Sequence, residues 1–131
     1  MLGIDDLSAT DHDEIRQTII GWTDELVSLK HDAWLERWAE DAVLMPPGAQ
    51  RIVGHNELAK FAAAFEPTPG YRFENWEFAG SGDMAIVCNQ IILTGNSQSE
   101  DQDVHFNQII VLVRKKQIWK IQAVIFTPTK P

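Results

Sequence analysis

Six polar side chains interrupt the apolar, β-rich runs of the second half of the chain: Asn89 and Gln90, then His105, Asn107 and Gln108, then Gln122. Amides and imidazoles in such runs need hydrogen-bond partners, and several of them converging beside aromatic residues make a ligand site. Gln90, Asn107 and Gln122 are expected to line one concavity. His105 is the histidine placed on a long strand, and an imidazole with a pKa of about 6.5 is a natural proton shuttle at neutral pH. An enolising or dehydrating reaction could use His105 as base, with Asn107, Gln90 or Trp22 holding the developing oxyanion. The competing reading makes His105 a solvated strand-entry residue beside the acidic run Glu100, Asp101 and Asp103.

Other chemistry is sparse. His12, His31 and His55 fall at helix starts or connections, where capping or solvation explains them. The sequence holds no His-x-His, His-Glu-x-x-His or paired-carboxylate spacing, so neither a metal nor a cofactor is expected. The single cysteine, Cys88, lies in an apolar run and reads as a small core residue.

These residues are positioned by two kinds of element. Thr10, Asp11 and His12 precede a stripe of Ile15, Ile19, Trp22, Leu26 and Leu29, the spacing of an amphipathic helix with a capped start. Asp32 opens a shorter helical piece carrying Leu35, Trp38 and Ala39. Ala42 to Met45 and Arg51 to Val53 flank a proline–glycine turn and predict a small hairpin. A third helix runs from His55 to Phe65. Four strands follow: Tyr71 to Phe78, Met84 to Thr94, Val104 to Lys115 and Ile118 to Thr127. Their short links call for sequential antiparallel pairing, and helices first with strands after predict an α+β fold. The 131 residues suit a single domain, with residues 1–9 as a loose arm.

A net charge of −8 makes the surface repel nucleic acid and anionic bilayers alike. The start of the chain lacks the basic and apolar regions of a signal peptide, and no run reaches membrane-spanning length, so a cytoplasmic protein is expected. Strand alternation adds a partner. Residues Ile109, Val111 and Val113 share one face of their strand, and Phe106, Gln108, Ile110 and Leu112 share the other. Helices can cover only one face, so a homodimer packed sheet against sheet is predicted.

The stretch from Trp38 to Gly48, then Ile52 to Leu58 and the closing Ile118 to Ile121, resembles the nuclear transport factor 2-like superfamily, and within it the small SnoaL-like and ketosteroid-isomerase-like bacterial proteins. The resemblance spans nearly the whole chain. It implies a cystatin-like cone, a curved antiparallel sheet wrapped around three N-terminal helices, often dimeric through the outer sheet face. In that cone Trp22 and Trp38 would face an apolar cavity completed by Met45, Phe61, Phe65, Val124 and Phe126. Gln90 and Gln122 would add its polar contacts. The implied ligand is a small hydrophobic, oxygen-bearing metabolite. An isomerase, cyclase or dehydratase using it stands against a non-catalytic dimerisation or protein-association module. The ketosteroid isomerase mechanism itself is disfavoured. Its general-base aspartate falls at Pro46, its oxyanion-hole tyrosine at Trp22, and its protonated aspartate near Ile109 or Asn107.

Overall fold

The computed structural model describes residues 2–94 and 103–130, so the acidic pair Glu100 and Asp101 lies outside the described residues. Chain order is α1 (Ala9–Val27), α2 (His31–Glu36), β1 (Trp38–Met45), β2 (Ile52–Val53), α3 (Gly54–Ala64), β3 (Gly70–Ser81), β4 (Met84–Thr94), β5 (Val104–Lys115) and β6 (Ile118–Thr129). The fold is α+β. A curved six-stranded sheet in the order β2-β1-β6-β5-β4-β3 packs its inner face on the helices. The predicted sequential pairing of the last four strands and the small β1–β2 hairpin are both present. The junction of β1 with β6 is parallel, because β1 returns to the sheet beside the last strand rather than beside its chain neighbour β3.

The core gathers Ile15, Ile19 and Trp22 from α1, Trp34 from α2 and Leu58 from α3. The sheet answers with Leu44, Val87, Ile110, Leu112 and Ile121, each at most 2% exposed. Trp38, predicted to continue the second helix, instead opens β1. Arg37 already leaves the helix, and its carbonyl accepts a hydrogen bond from the Ile121 amide.

The sheet bends at irregular points in its register. Asn75 adopts φ 58° in β3, where the pairing slips between Glu74 and Glu77. In β6 the pairing jumps from Val111↔Ala123 to Leu112↔Ile121, which leaves Gln122 as an extra, unpaired residue. Such bulges sharpen the local twist and re-aim every side chain that follows.

Helix α1 starts two residues before the predicted cap, at Ser8. The Ser8 hydroxyl accepts from the Asp11 amide at 3.0 Å, and the Asp11 carboxylate accepts from the Ser8 amide at 3.2 Å. Arg114 ties this start to the far end of the sheet. It donates to Asp11 at 2.7 Å, to Asp83 at 3.0 Å and to the Gly82 carbonyl at 2.7 Å, with its guanidinium stacked 4.6 Å from the Trp119 ring. The expected loose arm is also pinned. The Gly80 amide donates to the Ile4 carbonyl and the Gly80 carbonyl accepts from the Asp6 amide, at 3.0 and 2.8 Å. Gly80 is needed there: at φ 146°, a Cβ would sit 2.4 Å from the Met84 carbonyl oxygen.

The hydrogen bond from the Ser8 amide, helped by Arg114, holds the Asp11 carboxyl below its ordinary value of 3.8, against the opposing effect of desolvation. A depressed folded-state pKa means the stabilisation is present above 3.8 and is lost as pH falls through the lowered value. Asp11→Asn should therefore melt below wild type at neutral pH, and the gap should close in acid. Thermal melts of both proteins across that range check it; a gap that persists at the acid end is the contrary result.

Candidate functional site

Register decides which polar residues share a face. Across β4, β5 and β6 one face carries Val87, Ile110 and Val124 in a row, then Asn89, Gln108 and Phe126 in the next. This is the inner face, and its members are buried or half-buried. The opposite face carries Cys88, Ile109 and Ile125, then Gln90, Asn107 and Thr127.

A cavity of about 120 Å³ lies between the inner face and the helices. Trp22 and Leu26 of α1 and Trp34 of α2 form one wall, and Phe61 of α3 with Phe65 just beyond it form another. The sheet side is Ile91, Leu93, Phe106, Gln108, Val124 and Phe126. The aromatic walls brace one another. Trp38 stands edge-on to Trp22 and to Trp34, with ring centroids 5.5 Å apart in both pairs, and Trp34 stacks on Phe61 at 6.2 Å. His55 Nε2 lies 3.1 Å from the Trp38 carbonyl oxygen; because that oxygen can only accept, Nε2 carries the proton there.

Polar side chains at the cavity are few. Trp22 Nε1, Trp34 Nε1 and Gln108 Oε1 are buried with no hydrogen-bond partner among the described residues. Asn89, in register beside Gln108 and 4% exposed, leaves both amide atoms unpaired. Thr23, also in the wall, donates its hydroxyl to the Ile19 carbonyl at 2.9 Å within its own helix. A buried polar group without a partner costs about 1–3 kcal/mol. Such atoms are not confined to the cavity: the indole N–H groups of Trp38 and Trp119 and His31 Nε2 are buried and unpaired as well. No titratable side chain of the described residues lines it.

Five expected site residues meet here: Trp22, Phe61, Phe65, Val124 and Phe126. Trp38 stands behind the wall. The structure places the remaining five away from this cavity. Gln90 and Asn107 lie on the outer face, where Asn75 donates to Gln90 at 2.7 Å and Gln90 donates to Asn107 at 3.0 Å. His105 shares the face of Asn107, two residues along β5, so the expected base and oxyanion holder both stand across the sheet from the cavity. Gln122, the bulge residue, donates to Asp41 at 3.0 Å, and that bond is the main reason the Asp41 carboxyl lies below its ordinary range. Met45 is 39% exposed and borders a shallow outer depression with Pro46, Ile109 and Ile125. The lining residues missed are Thr23, Leu26, Val27, Trp34, Leu44, Ile91, Leu93, Phe106 and Gln108. Gln108 carried a usable signal, since it alternates with Phe106, Ile110 and Leu112, the bulkier set on that strand.

Among the described residues no group of histidine, cysteine, aspartate and glutamate could hold a metal ion, and no helix is long and apolar enough to cross a membrane. Replacing Gln108 by leucine removes an unpaired buried amide and keeps the bulk, so Gln108→Leu should equal or exceed wild-type stability, by up to about 1–3 kcal/mol. Urea denaturation measures this; a clear loss of stability would show that the amide has a protein partner after all.

A family model described as the SnoaL-like domain matches residues 20–121. A comparison with curated proteins finds no match. Solved structures are similar over nearly the full length. One is an NTF2-like protein of unknown function from Pseudomonas putida, with TM-score 0.82 and 15% identity, covering 95% of this chain and 91% of that one. Another is a protein of unknown function with a cystatin-like fold from Nostoc punctiforme, with TM-score 0.82 and 16% identity, covering 94% of each chain. A third is a ketosteroid isomerase-like protein from Erwinia carotovora, with TM-score 0.75 and 20% identity, covering 91% of this chain and 96% of that one. At these identities the likeness is one of fold.

Proposed function

The chain belongs to the SnoaL-like domain family, and we propose that it is a small-molecule binding domain whose cavity takes a hydrophobic, oxygen-bearing metabolite. The observation that carries this reading is the apolar cavity with three buried, unpaired polar atoms on its wall. A ligand oxygen would accept from the indole N–H groups, and a ligand O–H would donate to Gln108 Oε1. Binding is favoured over acid–base catalysis, because proton transfer needs a titratable group within reach of the substrate. The lining described offers indoles, an amide and a hydroxyl instead. Pro46 and Asn107, at two of the positions where the ketosteroid isomerase resemblance expects acids, lie on the outer depression, not at the cavity. That supports binding without an isomerase mechanism. A reducing, cytoplasmic setting is part of the same proposal, supported by a lone thiol in an apolar strand.

A ligand that binds only the folded chain raises the melting temperature by mass action. Toluene, close in size to the cavity, should do so in a dose-dependent way. A melting temperature unmoved by toluene and by other single-ring aromatics would overturn the reading.

A second reading, homodimerisation, rests on the outer face. Met84, Ile86, Ile109 and Ile125 are 52, 37, 46 and 46% exposed, and register sets Cys88, Ile109, Ile125 and Met45 in one row across four strands. Four strands about 4.8 Å apart and about 11 residues long present on the order of 700 Å², near the roughly 800 Å² each partner contributes to a standard interface. The row is apolar from β4 to β1 and meets a carboxylate only on β3, where Glu77 pairs with Cys88, so two copies can meet over the four apolar strands despite their shared negative charge. We infer that a second copy of this chain covers the face. Light scattering at micromolar concentration should give a dimer mass for wild type and a monomer mass for Ile109→Glu. A wild-type monomer would defeat the inference.

A further inference from the structure

Resting on the cavity reading above, we propose that the ligand is an uncharged, single-ring compound bearing a hydroxyl group, and that Gln108 Oε1 selects that hydroxyl. Three properties of the cavity lead there, and each removes a class of ligand.

Size comes first. The cavity holds about 120 Å³. An apolar engineered cavity of about 150 Å³ takes a benzene molecule. One ring fits that scale, and a fused polycycle does not fit without moving the aromatic walls. Those walls are stiff, since Trp22, Trp34 and Trp38 are braced edge-on against one another and at most 6% exposed.

Charge comes second. The described wall contains no lysine, arginine or histidine to meet an anion, and no carboxylate to meet a cation. Moving a carboxylate from water into such surroundings with no counter-charge costs several kcal/mol after all relaxation. The negative net charge of the chain disfavours an anion further.

The pattern of donors and acceptors comes third. Gln108 Oε1 can only accept, and the indole N–H groups of Trp22 and Trp34 can only donate. A hydrocarbon satisfies none of the three. A ketone or ether oxygen satisfies an indole and leaves Gln108 unpaired. A hydroxyl donates its proton to Gln108 and keeps lone pairs for an indole N–H. Gln108 lies on β5, so the polar end of the ligand points toward the sheet. The ring then lies among Phe61, Phe65 and Phe126.

Isothermal titration of the full chain at neutral pH with phenol, toluene and benzoate tests this. Phenol and toluene have nearly the same shape and differ in the hydroxyl. Phenol should bind about tenfold tighter than toluene, the value of roughly one buried hydrogen bond. Benzoate should give no measurable heat. Gln108→Leu should bring phenol down to the toluene affinity and leave toluene unchanged. The wild-type ratio carries the test even if that variant folds poorly. Equal binding of phenol and toluene, or a phenol preference retained by folded Gln108→Leu, overturns the hydroxyl assignment while the cavity reading stands. Benzoate binding as tightly as phenol overturns the exclusion of charge. Failure of both neutral probes overturns the cavity reading and this inference with it.

Discussion

One extra residue in the last strand decides which side chains the sheet turns inward. Trp119 and Ile121 face the helices, and strict alternation would carry the inward face on through Ala123 and Ile125. The slip at Gln122 moves that face to Val124 and Phe126. Two lining residues on the sheet side of the cavity are thus aimed by a bulge, and both faces of the end of β6 follow from it. Had the strand run without the slip, Val124 and Phe126 would lie outward and the shorter Ala123 would face the helices. Gln122 itself, displaced from the ladder, finds Asp41 on β1 and is satisfied there.

That bulge also explains how far the sequence could be read. Element types and order were legible, because the 4,3,4,3 spacing of α1 and the apolar runs of β3 to β6 are strong periodic signals. The aromatic half of the site was legible for the same reason: Trp22, Phe61 and Phe65 lie on the apolar faces of helices. Its polar half was not. Asn89 and Gln90 are adjacent, as are Asn107 and Gln108, so either member of each pair could point inward, and a period of two gives no absolute origin. Taking Gln90 and Asn107 as the inward pair placed the candidate chemistry one residue off, hence on the wrong side of the sheet. In β6 Val124 and Phe126 were rightly placed at the cavity, but strict alternation put Gln122 there with them, since a bulge without glycine or proline leaves no mark on composition.

The site weakens the fold that holds it. The half-open cavity between helices and sheet gives up side-chain contacts that a closed core would make. The unpaired atoms of Trp22, Trp34 and Gln108 add to that loss. Compensation is concentrated at the opposite end of the sheet. There Arg114 binds Asp11, Asp83 and Gly82 at once, Trp119 lies under its guanidinium, and the segment around Asp5 pairs with Gly80. The two ends differ in kind: the Arg114 end is tied by ion pairs and hydrogen bonds, although the Trp119 indole N–H is unpaired there too, whereas the cavity end is almost wholly apolar.

The two faces of β4, β5 and β6 are consequently not independent. Each strand offers alternate residues to the cavity and to the outer face, so an inward residue such as Gln108 has Asn107 and Ile109 as its immediate outward neighbours. A ligand that shifts Gln108 must strain a backbone whose next residues stand in the apolar outer rows. If a second copy covers those rows, it stiffens the backbone from which Gln108 projects and lowers the cost of holding that amide in place. The coupling would run both ways, since linkage requires that whatever dimerisation adds to ligand affinity, the ligand returns to dimer stability. The lever is short: one peptide unit separates the amide proposed to meet ligand from the side chain proposed to meet a second copy.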